Sequence, residues 1–93
     1  MSRAFVKEEG DAPPPRYPLP PADDPGFPLA AARALIMGAN AGDSASAEEV
    51  TGFAGGDPRL VGEMTRIRDE AIERHDDRTE LLAERFLRAA GNA

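Results

Sequence analysis

Cysteine is absent from the 93 residues, which excludes a disulfide framework, thiolate catalysis and the usual sulfur ligands of structural zinc. Long apolar runs are missing as well. The longest near the start is Ala4-Phe5-Val6, far below a signal-peptide core or a membrane span, so the expected location is the cytoplasm, with no membrane partner. Nor is there an excess of positive charge anywhere. The net charge of -6 divides evenly, because residues 1–26, 27–56 and 57–93 each carry two more acids than bases. Phosphate contacts need clustered lysine or arginine, so direct nucleic-acid binding is not expected. The glycine-bearing stretch Gly38-Ala39-Asn40-Ala41-Gly42-Asp43-Ser44 has no phosphate-loop lysine and follows a helical pattern rather than a strand. Ser44 and Ser46 have no neighbouring base and suit helix capping better than nucleophilic attack. No catalytic residue, resident metal or cofactor is assigned, and a non-enzymatic protein is expected.

Proline, by contrast, is abundant in one place. Seven of the nine prolines fall between Pro13 and Pro25, where they favour extended polyproline II and leave no backbone ladder to join. Residues 1–26 are therefore expected to be a disordered proline-rich tail, and residues 27–93 a small helical domain. Pro14-Pro15-Arg16-Tyr17 has the form of a PPxY ligand for WW domains, but four residues inside a proline-rich stretch carry little specificity, and a plain linker is the expected reading.

The remainder carries helical spacing and helical punctuation, which predicts an all-α fold of three or four short helices. Pro28 suits a first turn, and Leu29, Ala32, Ile36 and Ala39 follow on one face up to Asn40-Ala41-Gly42. Ser46-Ala47-Glu48-Glu49 has capping-box spacing, predicting a second helix to Ala54 that turns Val50 and Phe53 inward. Asp57-Pro58 starts a third, with Leu60, Met64, Ile67 and Ala71 as its buried stripe. That stripe fails at Arg74 and Arg78 and resumes at Leu82, Phe86 and Ala89. Either one helix runs through with an exposed polar waist, or it breaks into a helical hairpin with a new start at Asp77.

Between Glu73 and Glu80 lie four carboxylates and the only histidine, His75. On an uninterrupted helix Glu73, Asp76, Asp77 and Glu80 share one side while His75 points elsewhere. Hard cations want about six oxygens from a fixed loop, so a solvated polar face is expected here rather than a private metal site. Two pieces of the chain nevertheless resemble Gre-type transcript cleavage factors and their relatives: the leader Met1-Ser2-Arg3-Ala4-Phe5-Val6-Lys7-Glu8 and the D-x-x-E of Asp77-Arg78-Thr79-Glu80. The resemblance covers about a dozen residues. It departs from the family after Glu80, where Leu81-Leu82-Ala83-Glu84-Arg85-Phe86 stands in place of an Asn-Ala-acid-aromatic run. The resemblance implies a hairpin that enters the secondary channel of bacterial RNA polymerase. Asp77 and Glu80 would be tip acids, with Asp76 as an extra neighbour, helping to hold magnesium at the polymerase's own active centre.

Two protein-binding roles thus stand side by side. One is a regulatory protein associated with RNA polymerase during elongation. The other is a small dimerisation, adaptor or antitoxin-like module in which Leu60, Met64, Ile67, Leu82 and Phe86 form a subunit interface, as in a homodimer.

Overall fold

The structure, a computed structural model, describes residues 17–91. Within them the chain forms four α-helices and one 3-10 turn, and no strand. Helix α1 spans Phe27–Ala41, α2 Ser44–Thr51, α3 Val61–Glu73 and α4 Asp77–Ala89, with the 3-10 turn Pro58–Leu60 leading into α3. Among the described residues no helix is long and apolar enough to cross a membrane. The all-α expectation holds.

Helix α1 starts with proline in its first turn and ends on Gly42, at φ 71°. The Gly42 amide donates to the Ala39 carbonyl at 3.3 Å and the Asp43 amide to the Gly38 carbonyl at 2.7 Å, the paired bonds of a Schellman stop. The face it buries differs from the expected one. Ala31, Ala32, Ala34, Leu35 and Gly38 point inward, while Leu29, Ile36 and Ala39 sit at the margin. At Gly38 the smallest residue is required because α2 lies very close. A Cβ placed on Gly38 would stand 2.6 Å from the Ala47 Cβ and 3.1 Å from the Asp43 carbonyl oxygen.

That approach also moves the start of α2. The Ser46–Glu49 capping box does not form: the N-cap is Asp43, three residues earlier, and the helix runs from Ser44 to Thr51, directly after the Schellman turn and short of the expected Ala54. Asp43, at the N-cap, makes no side-chain cap bond; its carboxylate accepts the Tyr17 hydroxyl at 3.2 Å. Tyr17 is 5% exposed and packs in the core, with Leu19 against it. Residues 17–26, assigned to the tail from sequence, therefore join the folded unit through Tyr17 and Leu19, and the PPxY tyrosine is not free to enter a WW groove. The rest of the expected tail lies outside the described residues. Val50, expected inside, is 52% exposed; Phe53 is half-buried, 6.2 Å from the Phe27 ring and capped by the Arg59 guanidinium at 4.7 Å.

The Asp57-Pro58 start is as expected, with the Asp57 carboxylate accepting the Arg59 amide at 2.9 Å. The stripe running from the 3-10 turn through α3 is also as expected: Leu60, Met64, Ile67 and Ala71 are all buried. Helix α4 answers with Leu82, Ala83, Phe86 and Leu87, and the two helices pack on each other as a hairpin. The break, rather than the continuous helix, is what the chain adopts.

Two glycines to alanine should shift stability in opposite directions. Gly62 in α3 has nothing within 4 Å of an added Cβ, so Gly62→Ala should stabilise by about 0.5–1 kcal/mol through helix propensity. Gly38→Ala should destabilise by about 1–3 kcal/mol through overpacking, and Ala47→Gly in the same chain should recover part of the loss. Denaturant melts of the three variants check this; equal shifts of one sign would contradict the α1–α2 contact.

Candidate functional site

Two places compete for function, and the hairpin turn is the first. Helix α3 stops with the Asp76 amide donating to the Ala71 carbonyl at 2.8 Å and the His75 amide to the Ile72 carbonyl at 3.1 Å. His75 takes the left-handed position of this stop, at φ 58°. A histidine there serves the backbone reversal, a place glycine or asparagine more often fills. The expected common face of Glu73, Asp76, Asp77 and Glu80 does not exist, because the reversal separates Glu73 from the other three.

The expected cap at Asp77 is corrected as well. Asp76 is the N-cap of α4, its Oδ1 accepting the Thr79 amide at 3.1 Å. That backbone hydrogen bond holds the Asp76 carboxyl below its ordinary value. Asp77 and Glu80 follow in the first turn, where negative charge suits the helix dipole. Capping thus accounts for the D-x-x-E neighbourhood without a ligand. Among the described residues no group of three or more His, Asp or Glu side chains is arranged to hold a metal ion.

The second place was not foreseen from sequence. A groove of about 430 Å³ opens between α1, the start of α2, the Gly55-Gly56 turn and α4. Leu35, Ile36 and Ala39 from α1 and Leu82 and Phe86 from α4 give it an apolar floor. Gly56, at φ 82°, lets the turn approach α4 so closely that a Cβ would lie 2.8 Å from that of Ala89. Glu48 stands on the α2 wall, its Oε2 accepting the Gly55 amide at 2.7 Å.

Arg78 and Arg85 line the α4 side, and both are exposed. Arg78 Nε donates to the Asn40 side-chain oxygen at 3.0 Å, which fixes the guanidinium across the α1–α4 seam and leaves its terminal nitrogens uncommitted. Neither arginine has a carboxylate within ion-pair distance among the described residues. Arg33, Arg59, Arg66 and Arg68 all do: Arg33 and Arg66 share Glu70, Arg59 pairs with Asp57 and Arg68 with Asp69. Arg74 and Arg88 likewise form no ion pair among the described residues but lie outside the groove lining.

The residues expected to form a subunit interface are in the chain's own core. Leu60 and Met64 are 0% exposed, and Ile67, Leu82 and Phe86 no more than 8%. They hold α3 to α4 within one molecule, and only the groove-side edges of Leu82 and Phe86 remain reachable. The signal that could have located the groove was present: Arg78, Leu82, Arg85 and Ala89 recur at spacings of four, three and four, a second stripe beside the core stripe of α4. No protein-family model, curated protein or solved structure matches this chain, so its chemistry is read from the groove and the turn themselves.

The Asp76 cap makes the stability of the fold depend on pH. A carboxyl with a folded-state pKa below its unfolded value contributes stability above the unfolded value and loses it as pH falls through the folded one. Asp76 behaves so through Thr79, Asp57 through Arg59 and Glu70 through Arg33. Asparagine also caps well but does not titrate here. The melting midpoint of wild type should therefore fall more steeply than that of Asp76→Asn between about pH 5 and pH 2. Parallel profiles would contradict the cap.

Proposed function

We propose that this chain is a non-enzymatic interaction protein of the cytoplasm that takes a segment of a protein partner into the groove between α1, α2 and α4. The groove with its two unpaired arginines carries this reading. An apolar floor bounded by a few polar groups is the common form of a recognition site, and about 430 Å³ is room for several side chains. Arginine beside buried apolar surface is also the composition of interface hot spots.

A second reading is favoured by one observation, the hairpin itself. Its turn presents Asp77 to solvent with Glu80 half-buried behind it, as a polymerase-channel tip would require. Against it stands length. Each arm has 13 residues, about 20 Å of helix, and Asp76 is already engaged in the cap. The groove reading is preferred because it uses groups that the fold leaves uncommitted.

Capture from native extract separates the readings when three forms of the chain are compared. Ala39→Trp fills the groove from a half-buried position, whereas Asp77→Asn with Glu80→Gln neutralises the turn and keeps Asp76 as cap. The groove reading expects a partner held by wild type and by the turn variant, and lost by at least about tenfold with Ala39→Trp. Loss confined to the turn variant, with RNA polymerase as the captured protein, would replace it with the elongation reading. Circular dichroism must show both variants folded.

A further inference from the structure

The groove's chemistry specifies its occupant more closely than "a protein segment", and we infer that it is an acidic amphipathic helix whose two carboxylates, seven residues apart, meet Arg78 and Arg85. This rests on the groove being a docking surface. Arg78 and Arg85 are themselves seven apart on α4, two turns and about 10 Å along the axis, so they lie on one face. Leu82 stands between them and Ala89 beyond, giving the stripe of four, three and four that packs against a second helix. The chain's own core does not use this stripe as a unit. Arg78, Arg85 and Ala89 are exposed, while the buried face of α4 is Leu82, Ala83, Phe86 and Leu87.

Charge then sets the sign and the orientation of the occupant. The chain has a net charge of -6, yet among the described residues two arginines beside an apolar floor have no carboxylate within ion-pair distance, while four others are paired. Asn40 orients Arg78 through its Nε without neutralising it, so the terminal nitrogens are held ready for a bidentate carboxylate at reduced entropic cost. Glu48 on the opposite wall, tied to the Gly55 amide, repels anions from the α2 edge. The partner's acids must lie along α4, with donors such as lysine or a backbone amide toward α2. A fatty carboxylate fits less well, because one anionic head satisfies only one of two guanidiniums that stand about 10 Å apart along the axis.

The test uses the full chain and two synthetic helical peptides. One carries glutamates seven residues apart with leucines three and four residues after the first; the other has lysine in place of each glutamate. Amide shifts in two-dimensional NMR locate binding, and fluorescence anisotropy measures it. The acidic peptide should shift the amides of Ile36, Ala39, Leu82 and Phe86 and bind at least about tenfold more tightly than the basic one, the gap closing as salt is raised. Arg78→Glu with Arg85→Glu should invert the preference, and both sites are exposed, so the variant should fold. If both peptides shift the groove equally, or the double variant keeps the wild-type preference, the charge assignment is overturned while the groove reading stands. Groove shifts with decanoate but with neither peptide overturn the helix as occupant and replace the protein segment with an amphipathic carboxylate. Silence from all three probes overturns the groove reading itself.

Discussion

The contact between Gly38 and Ala47 is the constraint from which the rest of the molecule follows. With no Cβ on Gly38, α2 comes down on α1 to a distance that any larger residue would forbid. That approach requires the short Schellman reversal at Gly42, brings Asp43 over Tyr17 and thereby ties the segment before α1 into the core. It also leaves α2 at one end of α1. Helix α1 also meets the α3–α4 hairpin, and among the described residues the seam between α1 and α4 is flanked by α2 and the Gly55-Gly56 turn. The groove is the space that this arrangement leaves open.

Legibility from sequence divided along physical lines. Large apolar residues at regular spacing were readable, because a stripe such as Leu60, Met64, Ile67 and Ala71 has one way to be buried in a helix. Asp57-Pro58 was readable because an Asx cap ahead of proline is a local interaction. The misread places are those where tertiary contact overrode local preference. Ser46 and Glu49 offered a capping box, yet α2 starts earlier, with Asp43 as its N-cap, directly after the reversal at Gly42. Tyr17 looked like linker because its partner, Asp43, is 26 residues away. At the hairpin turn the break could be suspected, but not that His75 would take the left-handed position and shift the cap from Asp77 to Asp76.

The same division explains why the candidate site was hidden. Acids clustered between Glu73 and Glu80 draw attention in the sequence, and the fold uses Asp76 to start α4 and places Asp77 and Glu80 at its positive end. Arg78 interrupts the apolar stripe in the sequence and Arg85 carries no mark of its own, whereas among the described residues the fold places carboxylates beside Arg33, Arg59, Arg66 and Arg68 and none within ion-pair distance of these two. A charge near apolar surface with no internal partner is a group available for recognition, and its availability is a property of three dimensions.

The most direct measurement is a set of intermolecular NOEs between methyl groups of the chain and the bound acidic peptide. The account predicts contacts from the Ile36 and Leu82 methyls, on opposite sides of the α1–α4 seam, to the same leucine of the peptide. Contacts confined to the turn around residues 74–80, or to the exposed side chains of Met37 and Val50, would contradict it.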